Sequence, residues 1–143
     1  MKSTLLITLM GVTIGTLSAV NASAQVPTRL VMTVPFDFQI HEKTLPAGEY
    51  SLRTGDHILY ITCEAQPRLS QIVLTTSATN KGDLPARAVF QRSGDRYYLS
   101  QVFAGPQQSA WELPPSGVER EALRGPTIAK VVLRLRVNTG VSR

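Results

Sequence analysis

Three side chains carry the chemistry that a metal or a nucleophilic mechanism would need: His41, His57 and Cys63. A structural zinc site takes four such ligands, and a catalytic one takes three plus a water. His57 and Cys63 are six residues apart, so on one continuous strand they share a side at about 20 Å, given ~3.3 Å per residue. Two surface histidines near turns, with no metal and no cofactor, are therefore expected. Cys63 is the single cysteine and lies in the apolar run "HILYITC", which excludes an internal disulfide. An apolar setting raises a thiol's pKa and makes it a poor nucleophile. It reads as a small buried hydrophobe.

The remaining catalytic patterns are missing or ordinary. There is no G-x-S-x-G turn, and Ser93 in "SGD" sits at the tip of a hairpin, where serine is common. No glycine-rich phosphate loop occurs. Ten scattered acids can converge only through the fold, so a carboxylate pair of the glycoside-hydrolase kind is not legible. Tyr97, Tyr98 and Trp111 are the stacking candidates. Adjacent strand residues face opposite ways. Tyr97 shares its phase with Leu99 and is expected in the core, and Tyr98 is expected outside.

Charge is distributed unevenly. From Gln25 to Leu123 the basic and acidic side chains nearly cancel, whereas the last twenty residues carry Arg124, Lys130, Arg134, Arg136 and Arg143 and no acid. In "TIAKVVLRLRV" the residues Ala129, Val131, Leu133, Leu135 and Val137 share one phase of a strand. Lys130, Arg134 and Arg136 share the other, together with Val132. Such a stripe can meet an anionic envelope polymer or lipopolysaccharide by Coulomb attraction. It can equally be a solvated face that protects an edge strand from aggregation. Lys130, Arg134, Arg136 and Tyr98 are the candidate binding residues, and nothing points to specific nucleic-acid recognition.

These residues must be positioned by short strands. A period of two dominates: Phe36, Phe38 and Ile40 alternate with Asp37 and Gln39, and Tyr50 and Leu52 resume the pattern after the turn "LPAG". "ARAVFQRSGDRYYLSQVF" reads as a hairpin, with Ala88 and Phe90 in one phase of the first arm and Tyr97, Leu99 and Phe103 in one phase of the second. "PPSGVEREALRGP" predicts one helix near 116–124, with Ser116 and Glu119 forming a capping box and Gly125 and Pro126 stopping it. The expected fold is all-β: an antiparallel sandwich or small closed barrel of about seven to nine short strands with that single helix. The chain is too short, and its outward positions too charged, for an outer-membrane barrel.

The first 24 residues read as a secretory signal peptide: Lys2, an apolar run from Leu5 to Val20, and the small residues Ala22-Ser23-Ala24 before a cleavage point. The run is interrupted by Gly11, Thr13, Gly15 and Thr16 and is short for a bilayer, which needs ~20 apolar residues. Residues 25–143 then form a single domain, periplasmic or extracellular and not membrane-spanning after cleavage.

Three segments, "VPFDFQIHEKTLPAGEY", "FQRSGDRYYLSQVF" and "WELPPSGVEREAL", resemble a family of small exported proteins common in soil acidobacteria. The resemblance implies export and a shared fold. It carries over no catalytic residue, because none is assigned in that family. The helix start "SGVERE" keeps the family's Ser and Glu but places Gly117 and Val118 between them. Taken together, the sequence points to a non-enzymatic exported β-domain that binds a ligand or supports the envelope. A small envelope hydrolase, with carboxylates assembled by the fold, is the alternative of a different class.

Overall fold

At Leu135 the backbone leaves one sheet and enters another, and that crossing summarises the architecture. The computed structural model describes residues 29–80, 82–106, 109–125 and 128–138, in which two mostly antiparallel sheets pack face to face. The expected signal peptide, 1–24, lies outside the described residues.

The first sheet holds β1 (Arg29–Val34), β4 (Gly48–Thr54), β5 (Ile58–Cys63), β6 (Gln71–Leu74) and β12 (Arg136–Asn138), in the order β12-β1-β4-β5-β6. The second holds β11 (Ile128–Arg134), β8 (Arg87–Ser93), β9 (Arg96–Phe103), β10 (Ala110–Glu112) and β7 (Thr76–Ala78), in the order β11-β8-β9-β10-β7. The small hairpin of β2 (Phe38–Ile40) and β3 (Lys43–Leu45) joins the second sheet through one parallel bridge, Gln39 to Tyr98. The fold is an all-β sandwich, not a closed barrel. Its strands outnumber the seven to nine expected because chain runs that read as one strand are broken: at Leu135, and at Thr75, where β6 passes into β7 of the other sheet.

Alternation does place the core. Leu30, Met32, Tyr50, Leu52, Leu59, Ile61 and Cys63 from the first sheet meet Phe38, Phe90, Leu99 and Val102 from the second. Aromatic rings knit the layers. Phe38 meets Tyr50 and Phe90 edge-on at 5.1 and 5.4 Å, and Phe36 stacks on Tyr97 at 3.8 Å. Edge-on pairs of this kind satisfy the ring quadrupoles as well as burying area. Cys63 is buried and unbonded to another cysteine, as a small hydrophobe.

The second arm of the hairpin departs from simple alternation. A register shift lies between Val89 and Phe90, so Phe90 pairs with Leu99 while Val89 pairs with Gln101. Ser100 is the extra residue, a bulge that reverses the phase of everything after it. Val102 therefore faces the core, and Phe103, expected beside Tyr97 and Leu99, turns to the outer face. There it packs with Val89 and Ala110 in a second, smaller cluster.

One helix, α1 (Gly117–Ala122), lies against the outer side of the second sheet. Ser116 Oγ accepts from the Glu119 N–H at 3.2 Å, and Glu119 Oε2 accepts from the Ser116 N–H at 3.0 Å, the reciprocal cap expected from the spacing. Ser93 Oγ ties the helix to the hairpin tip by donating to the Ala122 carbonyl at 2.8 Å. Among the described residues no helix is long and apolar enough to cross a membrane.

Candidate functional site

The cationic residues do not stay on one strand. Lys130 and Arg134 project from β11, but Leu135 is buried and its N–H donates to the Ala86 carbonyl at 3.0 Å. That kink carries Arg136 into β12 of the opposite sheet, where it donates to Glu49 Oε2 at 2.8 Å. The expected three-residue stripe is thus corrected to two residues, with Arg136 separate and ion-paired. Val137, expected inside with Leu135, is exposed for the same reason.

Register supplies a replacement that the sequence did not single out. Arg134 stands opposite Arg87 across the β11–β8 ladder, Val132 opposite Val89, and Lys130 opposite Gln91. Residues directly opposite share a face with Cβ atoms ~5 Å apart, and like charges so placed repel. Arg87 is held in place there. Its guanidinium lies 3.8 Å from the centre of the Phe103 ring and donates to Asn80 Oδ1 at 3.2 Å. Asn80 in turn donates to the Gly105 carbonyl at 2.7 Å. Among the described residues, none of Arg87, Lys130 and Arg134 takes part in an ion pair, whereas on the outer face of the first sheet Arg29 pairs with Glu64 and Arg136 with Glu49, leaving Arg53 opposite Arg29 without an ion pair.

Tyr98 requires a second correction. Its phase is the expected one, away from the sandwich core, but it is only 2 % exposed. The outward side of β9 at this point is not solvent. Leu113, Pro115 and α1 cover it, leaving a cavity of about 100 Å³ between them. Tyr98 is therefore no surface platform, and Tyr97, stacked on Phe36, is half-buried.

The same cavity holds a group that sequence reasoning took only as a helix cap. Glu119 is 4 % exposed, and burial pushes its carboxyl above the ordinary range; the Ser116 N–H and nearby His41 offset this only in part. Glu119 Oε1 and Tyr98 Oη both lack a partner among the described residues. His41 reaches this region from the tip of the β2–β3 hairpin. It takes φ 55°, a left-handed conformation that histidine tolerates better than most residues, and its Nε2 lies 3.1 Å from the Pro114 carbonyl.

A wider cleft of about 590 Å³ opens at one end of the sandwich, lined by the turn Thr54–His57, by Ser77 and Ala78, and by Ser109–Trp111. Trp111 is fixed there by its Nε1–H donating to the Gly55 carbonyl at 3.2 Å. Among the described residues its lining has one acid, Asp56, and no lysine or arginine. Among the described residues no three His, Cys, Asp or Glu side chains gather into a cage for a metal ion. His57 is exposed on a turn while Cys63 faces the core, so these two cannot share a ligand.

Chemically, the arrangement offers a flat cationic face, a small cavity holding one carboxyl, and an uncharged-to-acidic cleft. Comparison with known proteins adds nothing to these: no family model, no curated protein and no solved structure matches the chain.

Proposed function

We propose that this protein is an exported, non-enzymatic β-sandwich module that binds an anionic envelope polymer through the outer face of its second sheet. One observation carries the reading: Arg87 and Arg134 are held side by side, with Lys130 on the same face and no carboxylate paired to any of them. Lys130 and Arg134 are four residues apart on β11, a span of ~13 Å. A flat strip of that length suits the repeating charges of a polysaccharide or lipopolysaccharide better than a single small anion. Export rests on the apolar N-terminal segment and its small-residue ending, and on the resemblance to exported acidobacterial proteins.

The test is retention on an immobilised anionic polysaccharide at low salt. Lys130→Glu with Arg134→Glu is expected to abolish retention, while Arg136→Glu, whose parent charge is already taken by Glu49, leaves it nearly unchanged. Retention that survives the double substitution removes the reading.

The alternative, a small envelope hydrolase, draws on a single feature: Glu112 and Glu119 line the same cavity. At about 100 Å³ that cavity is well below the ~300 Å³ at which ligand pockets usually begin. The raised carboxyl also already has a structural task, as half of the helix cap. The binding module is the better account of both.

A further inference from the structure

We infer that β6 is the contact through which two copies of this chain associate, edge to edge and antiparallel, extending the first sheet across a twofold axis. The inference concerns the opposite sheet from the cationic face and does not depend on it.

β6 is the terminal strand of its sheet. The Thr75 N–H donates to the His57 carbonyl at 2.8 Å, which makes His57 and Thr75 a hydrogen-bonded pair. Pairs alternate along an antiparallel ladder. Val73 and Gln71 therefore bond to β5, and the backbone N–H and C=O groups of Ile72 and Leu74 point outward, toward the free edge. Those same two residues expose their side chains on the outer face, at 70 % and 71 %, beside Tyr60. An edge with free backbone groups and two exposed aliphatic side chains is a template for another strand.

Charge identifies the occupant. From Leu69 to Asn80 there is no charged side chain. The other edges are protected: β12 by Arg136, β11 by Lys130 and Arg134, β3 by Lys43, and β7 by its three-residue length. A net-cationic chain meets its own copy with least added repulsion where the contact itself carries no like charge. The β6 edge is neutral, and the groove of about 300 Å³ beside it carries one acid and one base, Glu42 and Lys43. A cationic edge from elsewhere on a neighbour would instead set Lys or Arg against Ile72 and Leu74.

Register then follows from geometry. Opposed residues in an antiparallel pair share a face, so self-pairing must match outer residues with outer ones. Centring the twofold on Val73 sets Ile72 opposite Leu74 of the second copy and the reverse, which packs these side chains against one another across the seam. The same register brings the second copy's Val73 to the inner side, over the groove that Ile40, Gln71 and Val73 already line. Four residues of pairing make a small contact, so the dimer is weak and depends on concentration.

Sedimentation velocity of the purified protein across a concentration series tests this. The expected result is a monomer–dimer equilibrium that Ile72→Lys abolishes; Ile72 is exposed, so this variant keeps the fold. Leu74→Pro removes an outward N–H without touching the ladder to β5 and is expected to abolish the dimer as well. A monomer at every concentration overturns the inference and leaves the edge to a strand from another protein. A dimer that persists in Ile72→Lys overturns it too, by placing the contact elsewhere.

Discussion

Tyr98 and Glu119 reach one small cavity from two elements, a strand and a helix, and each ends there in a buried oxygen that no described group bonds. Burial in that cavity places a carboxyl where ionising it is costly. Because the folded protein holds the Glu119 proton more tightly than the unfolded chain does, the group's contribution to stability is fully present below the ordinary carboxylate pKa. It is lost as pH rises through the raised value. Glu64 acts with the opposite sign: the Ser51 hydroxyl and Arg29 hold its carboxyl low, so its contribution is lost toward acid.

The difference between wild type and Glu119→Gln isolates the first effect. Gln preserves the capping geometry and cannot ionise. Urea-unfolding midpoints measured from acid to neutral pH are expected to show the wild type falling relative to the variant through that window. Parallel curves would mean that folding does not raise the Glu119 pKa.

Phe90 is the aromatic centre of the sandwich. It is fully buried and meets Phe36 at 5.3 Å and Phe38 at 5.4 Å, both edge-on. Phe90→Ala removes the ring from between two layers that cannot collapse toward it without breaking sheet pairing. The expected cost is about 3–5 kcal/mol, read as a large drop in the urea midpoint. Loss below about 1 kcal/mol would show that the aromatic contacts are not what holds the two sheets together.

How much of this was legible depended on whether the deciding partner was close in sequence. The helix cap was, because Ser116 and Glu119 are three residues apart and satisfy each other. So was the core phase of β4, where Tyr50 and Leu52 resume the alternation and both are buried. Tyr98 was read with the right phase and the wrong environment. Alternation tells which way a side chain points, not that residues 113–123 return to cover it. Phe103 failed for another reason: the bulge at Ser100 is set by pairing with Val89 and Phe90 and leaves no mark on β9 alone. Arg87 was invisible as a site residue because its neighbour Arg134 lies 47 positions away.

The Arg136–Glu49 pair at 2.8 Å lies on the exposed edge of the first sheet. Such pairs are worth between 0 and about 1 kcal/mol and are screened by salt. Arg136→Ala is accordingly expected to lower stability by less than about 1 kcal/mol at low salt and by nothing measurable in high salt. A salt-independent loss would mean that the arginine's aliphatic stem, and not its charge, holds β12 against β1.

Arg134→Glu should do two things at once. It replaces a like-charge pair directly across the β11–β8 ladder by an opposite-charge one, with Arg87 kept in place by Phe103 and Asn80. Cross-strand charge pairs contribute about 0.2–1 kcal/mol, so the variant is expected to be more stable than wild type at low salt, with the gain vanishing as salt is added. If the face binds an anionic polymer, the same variant weakens that binding. Gain of stability together with loss of retention would identify the Arg87–Arg134 pair as a cost tolerated for a ligand. Gain of stability with retention intact would mean that the anion binds elsewhere. A variant no more stable than wild type would show that the two guanidiniums already spread far enough apart in water for their repulsion to be lost.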